Sequence, residues 1–337
     1  MKGIKWALLM ITLLLLQACS SSSNKPNYDT SLYQGRPIET LTQGPPPVSE
    51  VEAIQRGDAA LNAGNIDLAL YEYIRSMSFS PLDYKDKTLY TIGQIHLSRG
   101  NNELAEKAFL MSVKENPNNV MALQQLGNLY TQLGRVEEGE SYFLRSVNAD
   151  QIRLGSKAMI DYNSLNKQSV EALVVDSQSP AVSYMGLGII ADVENKYDIA
   201  RVLYDKASIA APQMTKVLIN QGYSYYMSGD YTKAARYTQN ALKREPSNEK
   251  AQNNMALIYL AQGQENQALN MFSRHMERFE ALNNVGYFLM LKGRPEQAIP
   301  YFQQAIDSKP SYYKLANDNL DRALAEVRAK EVIVTSN

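Results

Sequence analysis

Side chains able to do chemistry are scarce in this sequence of 337 residues. There is one cysteine, Cys19, so no intramolecular disulfide can form. There are two histidines, His96 and His275, and neither stands in an HExxH pair or near a cysteine cluster. A GxSxG nucleophile elbow, a P-loop and a GxGxxG loop are all missing. The carboxylates are scattered at the spacing of solvated helix faces. No catalytic residue, metal ligand, cofactor or small-molecule substrate is therefore assigned, and the sequence does not read as an enzyme. Basic and acidic residues nearly balance at 34 and 35. No basic stripe marks a nucleic-acid partner. What remains is the chemistry of recognition. The chain has 22 tyrosines against 7 phenylalanines, and tyrosine suits surfaces that are apolar on one side and wet on the other.

The candidate recognition residues sit at fixed offsets, which points to the elements that carry them. Tyr223, Tyr226, Met227, Leu257, Leu260, Tyr287 and Met290 form an apolar set, and Asn220, Asn254 and Asn284 form an amide set. Around them, the stretch from Gly222 to Pro246 matches the stretch starting at Ala256 with a period of 34 residues. Seven such frames begin at Glu50, Asp86, Val120, Ala181, Thr215, Glu249 and Phe279. The eighth position is small in each (Gly57, Gly93, Gly127, Gly188, Gly222, Ala256, Gly286), as close helix crossing requires. The fifteenth is Gly in six frames and Asn195 in the other, where the chain must turn. The twentieth is Ala or Gly, and the twenty-fourth is aromatic except at Thr238. His96 and His275 fall in packing columns, which makes them core residues.

This period and these columns are similar to those of tetratricopeptide repeats (TPRs). The resemblance implies an all-α fold: a TPR solenoid, a right-handed superhelix of helical hairpins with a C-terminal capping helix. The expected organisation is a lipoprotein signal peptide over residues 1–18 and a flexible tether over 19–49. An N-terminal block of three repeats follows over 50–153, then an insertion or degenerate hairpin of two short helices over 154–180. A C-terminal block of four repeats spans 181–312, a capping helix 313–330 and a tail 331–337. The cap is expected to pack through Leu315, Leu320, Leu324 and Val327. The second helix of the sixth frame should be short by about one turn. In TPRs the first helices line the concave side, so the apolar set is a candidate docking groove, unless neighbouring helices fill it. The three amides resemble the asparagine ladder of peptide-binding TPRs. Their alternative role is to bond water or their own repeat.

Lys2 and Lys5 precede an apolar run from Trp6 to Leu16, which ends in Leu16-Gln17-Ala18-Cys19. The run is too short to span a bilayer and reads as a cleaved export signal. Its end resembles the bacterial lipobox, which implies acylation at Cys19 and a membrane anchor. Ser20 after it implies the outer membrane, facing the periplasm. The stretch NQGYSYYMSGDYTKAARYTQNALKREP followed by AQNNMALIYLAQGQ resembles TadD, the TPR lipoprotein of tight-adherence (Flp-type) pilus assembly. That resemblance implies a scaffold for pilus or secretion machinery whose partners are a secretin or other pilus-assembly components. Two alternatives stay open: an adaptor for peptidoglycan hydrolases and a type IVa pilotin.

Overall fold

A computed structural model describes residues 29–41, 44–309 and 311–335, and all sixteen α-helices named below lie in them. No strand occurs among the described residues. The chain forms two compact units, Met1–Pro117 and Asn118–Asn337.

The first unit holds two hairpins, α1 (Glu50–Asn62) with α2 (Ile66–Ser76) and α3 (Lys85–Ser98) with α4 (Asn102–Glu115). Ser49, in extended backbone, starts α1 by accepting the Glu52 N–H. Glu50 then accepts the N–H groups of Asp83 and Tyr84 ahead of α3, tying one hairpin to the next. Residues 29–41 differ from the flexible tether expected of them. Leu32 is buried in the core with Leu70, Ile74 and Ile92. The Leu32 carbonyl bonds His96 Nε2 at 2.8 Å, and Arg99 donates to the Gln34 carbonyl at 2.7 Å. A single leucine without helical periodicity gives no pattern to read, yet it seats this segment as a strap.

The second unit stacks five hairpins. They are α5 (Val120–Gln132) with α6 (Val136–Arg153), α8 (Ala181–Val193) with α9 (Tyr197–Ala210) and α10 (Thr215–Met227) with α11 (Tyr231–Arg244), then α12 (Glu249–Ala261) with α13 (Glu265–Phe272) and α14 (Arg278–Leu291) with α15 (Pro295–Ser308). The units divide after Pro117 rather than at the insertion, because α6 packs directly on α8. The insertion is not a two-helix hairpin. Its one helix, α7 (Lys167–Glu171), lies in a strap that packs on α9. Asn148 pairs with both the N–H and C=O of Ile160, and Gln151 does the same for Val174. Two amides on α6 thus satisfy backbone that no helix or sheet would pair.

Six of the seven hairpins share one close contact between columns. A Cβ added at Gly57, Gly93, Gly127, Gly188 or Gly286 would stand 2.4–2.7 Å from the ring of Tyr73, Phe109, Phe143, Tyr204 or Phe302. At Gly222 the facing group is the Thr238 hydroxyl instead. The turn position is left-handed throughout, and Asn195 holds φ at 60° where the other frames use glycine.

Two details depart from expectation. α13 has 8 residues where four of the other second helices have 14, so against those it loses more than a turn. The cap α16 (Lys314–Thr335) runs into the expected tail and packs on α15 through Ala316, Leu320 and Ala323. Leu315 and Leu324 face outward, because buried alanines let the helices approach more closely than leucines would.

Candidate partner-docking strip

The first helices α8, α10, α12 and α14 follow one another, each braced from behind by its own second helix. Polar bonds fix some of these neighbours in register. Asp192 on α8 accepts Tyr204 OH at 2.7 Å and Ser224 Oγ on α10 at 2.6 Å. Burial raises the Asp192 carboxyl above the usual range, while the two hydroxyl bonds oppose the rise. Asn254 on α12 donates to the Ile219 carbonyl on α10 at 3.2 Å. Once these bonds and the column contacts are made, the ninth and thirteenth positions of α8, α10 and α14 still point outward, while those of α12, Leu257 and Ala261, are half-buried.

The apolar candidates divide accordingly. Tyr223, Met227 and Tyr287 are exposed, at 41%, 47% and 43%. Tyr226, Leu257 and Met290 are half-buried, and Tyr226 stacks on Tyr223 with centroids 6.0 Å apart. Leu260 is buried and serves the core, so no partner can reach it. The same two columns add residues the sequence reading passed over: Ile189 and Val193 on α8, and Leu291 on α14, with Val193 78% exposed. Their offsets within the frame were the available signal. Together they extend the strip over four consecutive hairpins.

The amides do not form a free ladder. Asn254 spends its amide on the Ile219 carbonyl, and Asn284 Nδ2 lies 3.3 Å from Met276 Sδ. Asn220 is half-buried beside them. In the third hairpin Gln124 is buried and accepts the N–H groups of Val182 and Ser183, capping α8. At the polar edge of the strip, Tyr225 stacks on Tyr237 and lies under Arg201, 4.3 Å from its ring centroid.

The two histidines are placed as packing residues. His96 is fully buried, and His275 is half-buried with Nε2 3.0 Å from Asn253 Oδ1. Cys19 lies outside the described residues. No helix among the described residues is long and apolar enough to cross a membrane.

Tetratricopeptide repeat models match residues 90–151, 225–280 and 279–312. The hairpins that these models cover are tetratricopeptide repeats. The chain is 26% identical over 197 residues to BBSome complex member bbs-4 of Caenorhabditis elegans, covering 56% of this chain and 42% of that protein. It is 23% identical over 290 residues to a TPR repeat-containing protein of Methanocaldococcus jannaschii, covering 76% of this chain and 50% of that one. This chain therefore spans half or less of the length of these curated relatives. Among solved structures, PilW, described as a widely conserved type IV pilus biogenesis factor, is similar with a TM-score of 0.51 and 13% identity. That match covers 69% of this chain and 97% of PilW. At that identity the likeness is one of fold.

Proposed function

We propose that this protein is a TPR scaffold for assembly of a pilus or secretion machine, anchored by a lipid on Cys19 at the periplasmic side of the outer membrane. Its strip over α8, α10, α12 and α14 holds a segment of a protein partner, a secretin or another pilus-assembly component. The observation that carries this reading is the strip itself. Tyrosine, methionine, isoleucine and valine recur in two columns where a solenoid needs only polar residues, and exposed apolar surface of this regularity marks a docking face. Tyr223 and Tyr287 are the anchors, being large, aromatic and accessible. Support for the pilus setting comes from the TadD-like segment and from the fold likeness to PilW. Acylation at Cys19 would raise the effective concentration of the strip near a partner in the same membrane.

The test is a gene deletion in the source bacterium, complemented by wild type, by Cys19→Ala and by the triple variant Tyr223→Ala/Tyr226→Ala/Tyr287→Ala. Detergent-resistant secretin multimers are then assayed in outer-membrane fractions. The expected result is loss of multimers in the deletion and rescue by wild type alone. Normal multimers and pili in the deletion would refute the pilus reading. Rescue by a folded triple variant would refute the strip.

A further inference from the structure

A second site lies apart from the strip, where the insertion meets α6 and α8. There a cleft of about 600 Å³ opens between these three elements. Leu144, Ile160 and Ile190 line it with the exposed Tyr162, over whose ring the Lys196 ammonium lies. Four carboxylates line it, Glu137, Glu140, Asp161 and Glu194, against one guanidinium, Arg145.

Three of these carboxylates have a structural account. Glu194 pairs with Lys196 at 2.7 Å, Asp161 accepts the N–H groups of Asn163 and Ser164, and Glu137 is exposed in the first turn of α6. Glu140 has none. It is 7% exposed, and no hydrogen bond or ion pair satisfies it among the described residues. Burial pushes its carboxyl up, and Glu194 and Glu137 push the same way against Lys196. Its oxygens are not sealed from water but face the cleft that Glu140 lines, so a cation entering the cleft meets a partly desolvated carboxylate with no partner in the chain. Among the described residues no set of His, Cys, Asp and Glu is arranged to hold a metal ion. The missing partner is therefore an organic cation with an aliphatic stem.

We propose that this cleft seats a lysine or arginine side chain of a partner protein. The ammonium or guanidinium bonds Glu140, the methylenes lie along Leu144, Ile160 and Ile190, and Tyr162 covers the stem. Charge complementarity selects this occupant, since an acidic side chain would meet four carboxylates and an apolar one would leave Glu140 unpaired. This site is independent of the strip and of the pilus reading.

The test is methyl NMR of the full chain, following Leu144, Ile160 and Ile190, titrated with acetyl-lysine methylamide and acetyl-arginine methylamide. Acetyl-norleucine methylamide and acetyl-glutamate methylamide are the controls. The expected result is saturable shifts with the basic probes alone, and an affinity at least about tenfold weaker in Glu140→Gln, in keeping with loss of a charge-assisted bond. In the free protein, Glu140→Gln should raise the thermal midpoint by about 2 °C or more, because it removes one of the four carboxylates gathered on the cleft. Equal shifts with the norleucine probe, no shift with any probe, or a lowered midpoint in Glu140→Gln would each overturn the proposal.

Discussion

Phe143 is the joint on which the third and fourth hairpins turn, and its surroundings set a quantitative test. A Cβ added at Gly127, in the same hairpin, would stand 2.4 Å from ring atom Cδ1, and one added at Gly186, in the next hairpin, 2.4 Å from Cε2. Carbon atoms pack best at about 3.5–4.0 Å, so either methyl must displace the ring or a helix by more than about 1 Å. Overpacking of this kind costs about 1–3 kcal/mol. Replacing a helical glycine by alanine returns about 1 kcal/mol of propensity. Each single alanine variant should therefore lose roughly 0–2 kcal/mol. The pair Gly127→Ala/Gly186→Ala should lose more than the sum by about 1 kcal/mol or more, since a ring retreating from one methyl advances on the other. Phe143→Ala alone should cost about 3–5 kcal/mol, and at least about 2 kcal/mol less in the double-alanine background, where the methyls fill the space and the clash is gone. Urea unfolding followed by circular dichroism, compared at unchanged m, reads these values. Additivity of the two alanines within about 0.5 kcal/mol, or the same cost of Phe143→Ala in both backgrounds, would refute the joint.

Burial holds the His96 ring below its ordinary value, with the Leu32 carbonyl bond opposing and the Arg99 charge adding to the shift. The folded state thus binds fewer protons than the unfolded one, so the stability contributed by neutral His96 is complete above pH ~6.5 and is lost as pH falls below it. The protection factors of the amides of Leu32 to Arg36, measured against their intrinsic exchange rates, should accordingly fall between pH 7 and 5. His96→Gln should flatten that dependence, and Leu32→Ala should free the strap at every pH; an unchanged pH profile in His96→Gln would rule the mechanism out. Asn195 tests the turn column, since it holds φ at 60° and its Oδ1 accepts Tyr197 OH at 2.7 Å. Asn195→Ala should cost about 1–2 kcal/mol and Asn195→Gly far less in thermal unfolding. Equal losses would show that the phenol bond rather than the left-handed backbone governs the site.

The hairpins were legible in the sequence because their determinants are local and periodic. Gly127 must be small because it lies sixteen positions before Phe143 in one frame, and Gly134 must turn the chain between the two helices. The repeat prints both requirements seven times. Exposure of Tyr223, Met227 and Tyr287 followed from the same frame, as did the burial of His96. Non-local contacts left no such mark. The strap turns on Leu32 meeting residues more than thirty positions away, and the insertion on Asn148 and Gln151 pairing with backbone rather than on any helical pattern. Leu260 and Leu257 occupy equivalent-looking groove positions, yet the packing of α14 and its neighbours buries the first and leaves the second half open. Glu140 looks like any solvated helix carboxylate until the insertion folds over it. Sequence alone determined the repeat, its turns and its outward columns, because one hairpin's own geometry demands them. Tertiary structure decided which of those outward residues stay accessible and which carboxylates gather on one cleft, because both depend on segments distant in the chain.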